Sequence, residues 1–255
     1  MCEHNILVIG AEGTLGPIWL KELAFRNPNN LIFGSKILAA EDNSQRLSNV
    51  RNIVLDVTNF SEKELRGLIV DNSICRIVYN AGIDTPPNSK KISNFYNSTI
   101  DEFRKTLEVN LTGAWNILKT IGPDLETRKH GSIVLIGSLY ANRSPDQRNY
   151  DHISSEIAFN KPAAYGASKA GLVHLGKYLS TLWGGSGIRV NTLSPGGILG
   201  SQDKEFLNKF IKKIPLKRLA DASKDVAPVL NFLLSEDSQY ITGQEIFVDG
   251  GYTAW

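Results

Sequence analysis

A chain of 255 residues with 42% hydrophobic content can bury a substantial core, and that length suits one large α/β domain. Its 28 basic and 26 acidic residues are interspersed and leave a formal charge of +2; this excludes the concentrated field of a nucleic-acid or membrane-surface binder and points to a small-molecule partner. Cys2 and Cys75 give neither a metal-ligand spacing nor a disulfide framework, and no apolar run is long enough to span a bilayer. We therefore expect a soluble protein of a reducing, cytoplasmic compartment without a metal centre.

Short β-rich runs at Asn5–Ile9, Lys36–Ala40, Asn52–Leu55, Arg76–Tyr79, Ser132–Ile136, Arg189–Leu193 and Glu245–Val248 alternate with helical patterns. Apolar strands separated by helices imply a parallel sheet covered on both faces, because parallel neighbours need crossover connections that place helices there. The expectation is an α/β fold, a Rossmann-like doubly wound parallel sheet, with residues 1–255 forming a single domain. Ligands bind such sheets beyond the carboxyl ends of the strands.

The first strand runs into Gly10-Ala11-Glu12-Gly13-Thr14-Leu15-Gly16, and a helix opens near Pro17. Glycines permit a tight turn and close backbone approach, while free N–H groups and the helix dipole attract a pyrophosphate. An ordinary glycine-rich turn is the plain alternative; the position directly after the first strand favours a dinucleotide. Beyond the second strand, Glu41 and Asp42 can accept the adenosine ribose hydroxyls and repel a 2′-phosphate, which puts NAD ahead of NADP. A solvated acidic turn is the alternative there, and Arg46 could still answer a phosphate. Asp56-Val57 after the third strand either meets the adenine amino group or supplies an N-terminal carboxylate to a helix over Phe60–Val70.

Strand four closes with Tyr79 and Asn80-Ala81-Gly82, where small residues let a cofactor lie against the sheet and Asn80 can tie neighbouring strands. Thr85–Asn97 reads as a loop. A helix over Asp101–Thr120 places Phe103, Leu107, Leu111, Ala114 and Leu118 on one face with Asn110 beside them; that buried amide either caps local backbone or holds a proton-passing water.

Ser138 follows strand five, and a later helix carries Tyr165 and Lys169 four apart, hence on one face. A phenol acting as a base near neutrality needs its pKa lowered by about three units, or roughly 4 kcal/mol. A cation about 4 Å away at an effective dielectric near 20 supplies a similar amount. Ser138 would donate to the reacting oxygen. Strand six leads to Pro195, Gly196 and Ile198, a close backbone wall for a nicotinamide with the Ile198 main chain offered to the carboxamide. The stretch around 199–220 is a candidate substrate loop: Lys204, Lys209, Lys212, Lys213, Lys217 and Arg218 form a basic face that is either solvated or meets an anionic substrate group. None of the four histidines falls in a site-like cluster.

In order, Gly10–Gly16, Asp56, Asn80-Ala81-Gly82, Asn110, Ser138, Tyr165-x-x-x-Lys169, Ser194-Pro195-Gly196-Gly197 and Thr242-Gly243-Gln244…Val248-Asp249-Gly250-Gly251 resemble the short-chain dehydrogenase/reductase family over essentially the whole chain. The resemblance implies Tyr165 as acid/base, Lys169 on the nicotinamide ribose, Ser138 orienting substrate, Asn110 completing a proton relay, and a homodimer or homotetramer. Three departures stand out: the loop places its middle glycine one residue early, Tyr79 replaces a frequent Asn, and an insert around 143–160 separates Ser138 from Tyr165. The insert and loop are similar to members serving bacterial surface-sugar pathways, including flagellin glycan and legionaminic-type sugars. A 3-oxoacyl or small-ketone reductase is the alternative within enzymes, and a non-catalytic dinucleotide-binding sensor is the alternative outside them.

Overall fold

The computed structural model describes residues 4–37, 47–85, 94–153 and 159–255. Strand β1 (Asn5–Ile9) is buried along its whole length, as a strand covered on both faces must be. Around it β2 (Ile32–Lys36), β3 (Val50–Val54), β4 (Ile74–Tyr79), β5 (Gly131–Ile136), β6 (Ile188–Pro195) and β7 (Glu245–Val248) form a sheet of order β3-β2-β1-β4-β5-β6-β7. Every pairing is parallel. The order reverses at β1, between β2 and β4, and such a switch point opens a ligand crevice at the carboxyl edge.

The period-2 alternation of strand side chains divides the core in two. Leu7 and Ile9 join Ile77, Ile117 and Leu172 on the face covered by α2 (Glu62–Asp71), α4 (Gly113–Arg128) and α5 (Ala163–Trp183). Ile6 and Val8 join Trp19 and Leu230 under α1 (Gly16–Arg26) and α7 (Ala227–Leu234). Each such side chain contributes about 1.5–3 kcal/mol on burial. Two further helices, α3 (Ile100–Leu107) and α6 (Lys204–Lys212), flank the carboxyl edge. No described helix is long and apolar enough to cross a membrane.

Three local expectations change. The second strand is Ile32–Lys36, so it begins four residues before the expected Lys36–Ala40, of which residues 38–40 lie outside the described residues; Ile32 pairs with Ile6, and Gly34 packs tightly against the Leu20 and Ala11 side chains. Glu41, Asp42 and Arg46 lie outside the described residues. The helix over Asp101–Thr120 is interrupted by a π-helical turn, Glu108–Thr112, which leaves Phe103 37% exposed instead of in line with buried Ala114 and Leu118. Finally, Ser61 caps α2 by accepting from Glu64 N. Asp56 instead closes its own turn, accepting from the Thr58 N–H at 2.8 Å and the Thr58 hydroxyl at 2.7 Å.

Candidate active site

Gly10 leaves β1 at φ +80°, a conformation that favours glycine. A Cβ there would stand 2.5 Å from the Ala81 backbone, and one at Gly16 would stand 2.3 Å from the Ala11 backbone. These two glycines let the loop pack against the β4 turn and fold back on itself. Gly13 differs: a Cβ would meet only the Gly10 carbonyl, at 3.6 Å, so Gly13 faces open space. Asn80 ties the loop together by donating to Gly10 O at 2.7 Å and accepting from Trp19 Nε1 at 2.8 Å. Helix α1 has no side-chain cap and no acidic residue in its first turn, so its dipole is left for an anion. The cradle therefore fits a dinucleotide pyrophosphate.

Gly13, Thr14, Leu15, Asn80 and Gly82 open into one cleft of about 770 Å³ together with Ser138, Tyr165, Lys169, Pro195, Gly196 and Ile198. The Ile198 carbonyl accepts from Gln202 Nε2 at 2.8 Å, which leaves it one lone pair. Asp56 and Val57 are not among the residues that line the cleft, and Val57 is buried in the core.

Helix α5 presents Tyr165 and Lys169 on one face, and the Lys169 ammonium donates to Ile136 O at 2.7 Å. Ser138 caps a short helical turn, accepting from Tyr140 N at 3.2 Å, and it lines the same cleft as the Tyr165 phenol. The electrostatics differ from the simple cation argument. Lys169 Nζ stands 5.8 Å from the Tyr165 ring centroid, and burial holds its own pKa down at about 8. Burial also pushes the Tyr165 phenol above its ordinary value; Asp84 adds to the rise and the Ser138 hydroxyl opposes it. In the protein alone, desolvation outweighs the lysine.

Asn110 is fully buried in the π-helical turn. Its Oδ1 accepts from Ile83 N at 2.7 Å, and its Nδ2 donates to Ile83 O at 3.1 Å and Ser168 Oγ at 3.0 Å. Both amide hydrogens are thus engaged. The side chain locks the loop after β4 onto α5.

Opposite the cradle, sequence reasoning missed several residues. Lys161, only 9% exposed, pairs with Asp84, and its ammonium lies 5.6 Å from the Tyr165 ring centroid. His152 lines the cleft with its Nε2 2.8 Å from Asp203 Oδ1, so one histidine does belong to the site. Three cations of the basic face of 199–220 are paired: Lys209 with Asp151 and Glu205, Lys213 with Asp146, and Arg218 with Asp225. Tyr150 of the insert packs on Phe159 and on Phe206 of α6, and Phe206 stacks on Phe210, which stacks on Tyr252. The candidate substrate loop is thus a packed helix bolted to the insert.

Residues 53–253 match the family described as Enoyl-(Acyl carrier protein) reductase. The chain is 31% identical to the 7alpha-hydroxysteroid dehydrogenase of Bacteroides fragilis, covering 98% of this chain and 95% of that one. It is 28% identical to the post-translational flagellin modification protein A of Campylobacter coli, covering 99% of each. A crystallised short chain dehydrogenase from Leptospira borgpetersenii with bound NAD+ superposes with a TM-score of 0.82 at 29% identity, over 98% of this chain and 93% of that one.

Proposed function

This chain belongs to the short-chain dehydrogenase/reductase family, an NAD(P)-dependent oxidoreductase, and we propose that it interconverts a carbonyl and an alcohol on a sugar or sugar derivative. The glycine cradle, Asn80 and Lys169 hold the cofactor. Bound NAD(P) supplies or accepts the hydride. In the reducing direction Tyr165 gives its phenolic proton to the substrate oxygen as Ser138 donates a hydrogen bond to it, and Lys169 stabilises the resulting phenolate; oxidation reverses these transfers.

The observation that carries the sugar reading is the pair beside Tyr165 formed by buried Lys161 and exposed Asp84, both of which line the cleft. With His152, Gln202 and Asp203 in the same wall, it offers donors and acceptors that a polyhydroxylated substrate satisfies. A site built to hydrogen-bond hydroxyls rejects analogues lacking them, because its polar groups are then left unpaired. Similarity to the flagellin modification protein agrees with this reading, whereas the steroid dehydrogenase and the acyl-carrier description of the family leave apolar carbonyl substrates as the alternative.

We assign NAD ahead of NADP. The Glu12 carboxylate accepts from Ile37 N at 3.1 Å just beyond β2, where the adenosine ribose lies in such folds and an acid repels a 2′-phosphate. Exposed Trp115 on α4 and exposed Tyr178 and Leu182 on α5 support a homodimer or homotetramer. The test is a tryptophan-fluorescence titration with NADH and NADPH, followed by reduced-nicotinamide absorbance with keto-sugars and acetoacetyl thioesters. Tighter NADH binding and sugar turnover are expected. Thioester turnover alone would overturn the sugar reading, and cofactor binding with no turnover on either class would favour a sensor.

A further inference from the structure

Two of the four histidines and one of the two cysteines meet at the amino edge of the sheet, opposite the cleft. His4 precedes β1, Cys75 is the second residue of β4, and His130 immediately precedes β5. The β1–β4 register passes from Asn5–Ile74 to Ile6–Arg76, so Cys75 is the extra residue of a β-bulge, a device that re-aims a side chain. His130 is set by a second irregularity: α4 ends at Lys129 with φ +53°, which turns the chain into β5.

His4 Nδ1 stands 3.2 Å from Cys75 Sγ, the two imidazole centroids are 4.5 Å apart, and one donor atom from each of the three residues lies within 4.8 Å of the others. Zinc–sulfur and zinc–nitrogen bonds of about 2.3 and 2.0 Å in a tetrahedron place such donors roughly 3.3–3.5 Å apart, within a small side-chain adjustment of this arrangement. Glu236 Oε1 is 3.7 Å from His130 Nε2, where a carboxylate orients a ligating imidazole.

We propose that His4, Cys75 and His130 bind one Zn2+ ion, with Glu236 supporting His130 and a water completing the tetrahedron. On binding, the Cys75 thiol loses its proton to solvent as the zinc–sulfur bond forms. Mixed thiolate and imidazole donors suit Zn2+ rather than Mg2+ or Ca2+. The ion would clip together the starts of three central strands, a structural role independent of the hydride chemistry.

The experiment uses the full chain without a histidine tag, stripped with a chelator and titrated with Zn2+ against a chromophoric chelator, then with Co2+. We expect about one equivalent of Zn2+, a thiolate-to-cobalt charge-transfer band, and a Zn2+-dependent rise in Tm. Cys75→Ala and His130→Gln should abolish all three, and Glu236→Gln should weaken binding about ten-fold. Because Cys75 is buried, His130→Gln, at a half-exposed turn position, decides the matter if Cys75→Ala does not fold. Stoichiometry unchanged in His130→Gln, absence of the charge-transfer band, or loss of that band in Cys2→Ser instead of Cys75→Ala would overturn the proposal.

Discussion

The two walls of the cleft are made of different material. The cofactor wall is backbone: glycines at Gly10 and Gly16 that admit no Cβ, one amide at Asn80, and an undecorated helix terminus. The opposite wall is side chain, with Lys161 on Asp84 and the aromatic rings of Tyr150, Phe206 and Phe210, backed by the Lys213–Asp146 pair and Tyr252. A wall that binds phosphates can be built from main chain, whereas a wall that selects a substrate needs side-chain chemistry, as an insert supplies.

This contrast breaks most sharply at Gly10. Gly10→Val forces a β-branched side chain into a positive φ and against the Ala81 backbone; we expect NADH affinity to fall at least about 100-fold, or the protein to be lost to the insoluble fraction. Fluorescence titration checks this. Lys169→Met comes next, with turnover down about 100-fold or more. Its stability change has the opposite sign. The folded-state pKa of Lys169 is lowered to about 8 from 10.5, so below pH 8 the fold carries the cost of a buried cation. That cost fades as pH rises from 8 toward 10.5. Lys169→Met should therefore be more stable by roughly 1–3 kcal/mol at pH 7, less the lost bond to Ile136 O, and the gain should vanish by about pH 10.5. Urea unfolding at both pH values measures it.

Smaller effects sharpen the substrate side. Asp84 raises the Tyr165 pKa, so Asp84→Asn should move the alkaline rise of alcohol-oxidation kcat/KM to lower pH by about half a unit to one unit. An unmoved profile would dissociate Asp84 from the phenol. Asp146→Asn breaks the link from the insert to Lys213 and should cost no more than about 1 kcal/mol, as partly exposed pairs do, while raising substrate KM and leaving NADH affinity unchanged.

How much of this was legible follows the same division. The strands β1 and β7 were read to the residue because their apolar runs are bounded by turn residues, and the glycine loop was read because Gly10, Gly13 and Gly16 lie close together in the chain. The start of strand β2 was placed late because Gly34 and Ser35 weaken its propensity, while in the fold Gly34 packs closely against Leu20 and Ala11. The Lys161–Asp84 pair joins residues 77 positions apart, and nothing local at either position predicts the other. The pairing of Lys209 and Lys213 was not legible because their partners Asp151 and Asp146 sit in the insert, far away in sequence. The bulge that brings Cys75 to His4 is a register effect, invisible to spacing rules that require ligands close in sequence.

The central claim is that Tyr165 moves the proton while the backbone wall holds the cofactor. Tyr165→Phe, measured on the same sample for NADH affinity and for substrate-dependent kcat/KM, tests both halves together. The account predicts a loss of about 1,000-fold in kcat/KM with NADH affinity unchanged within two- or three-fold. Turnover retained in Tyr165→Phe, with its NADH site intact, would contradict it.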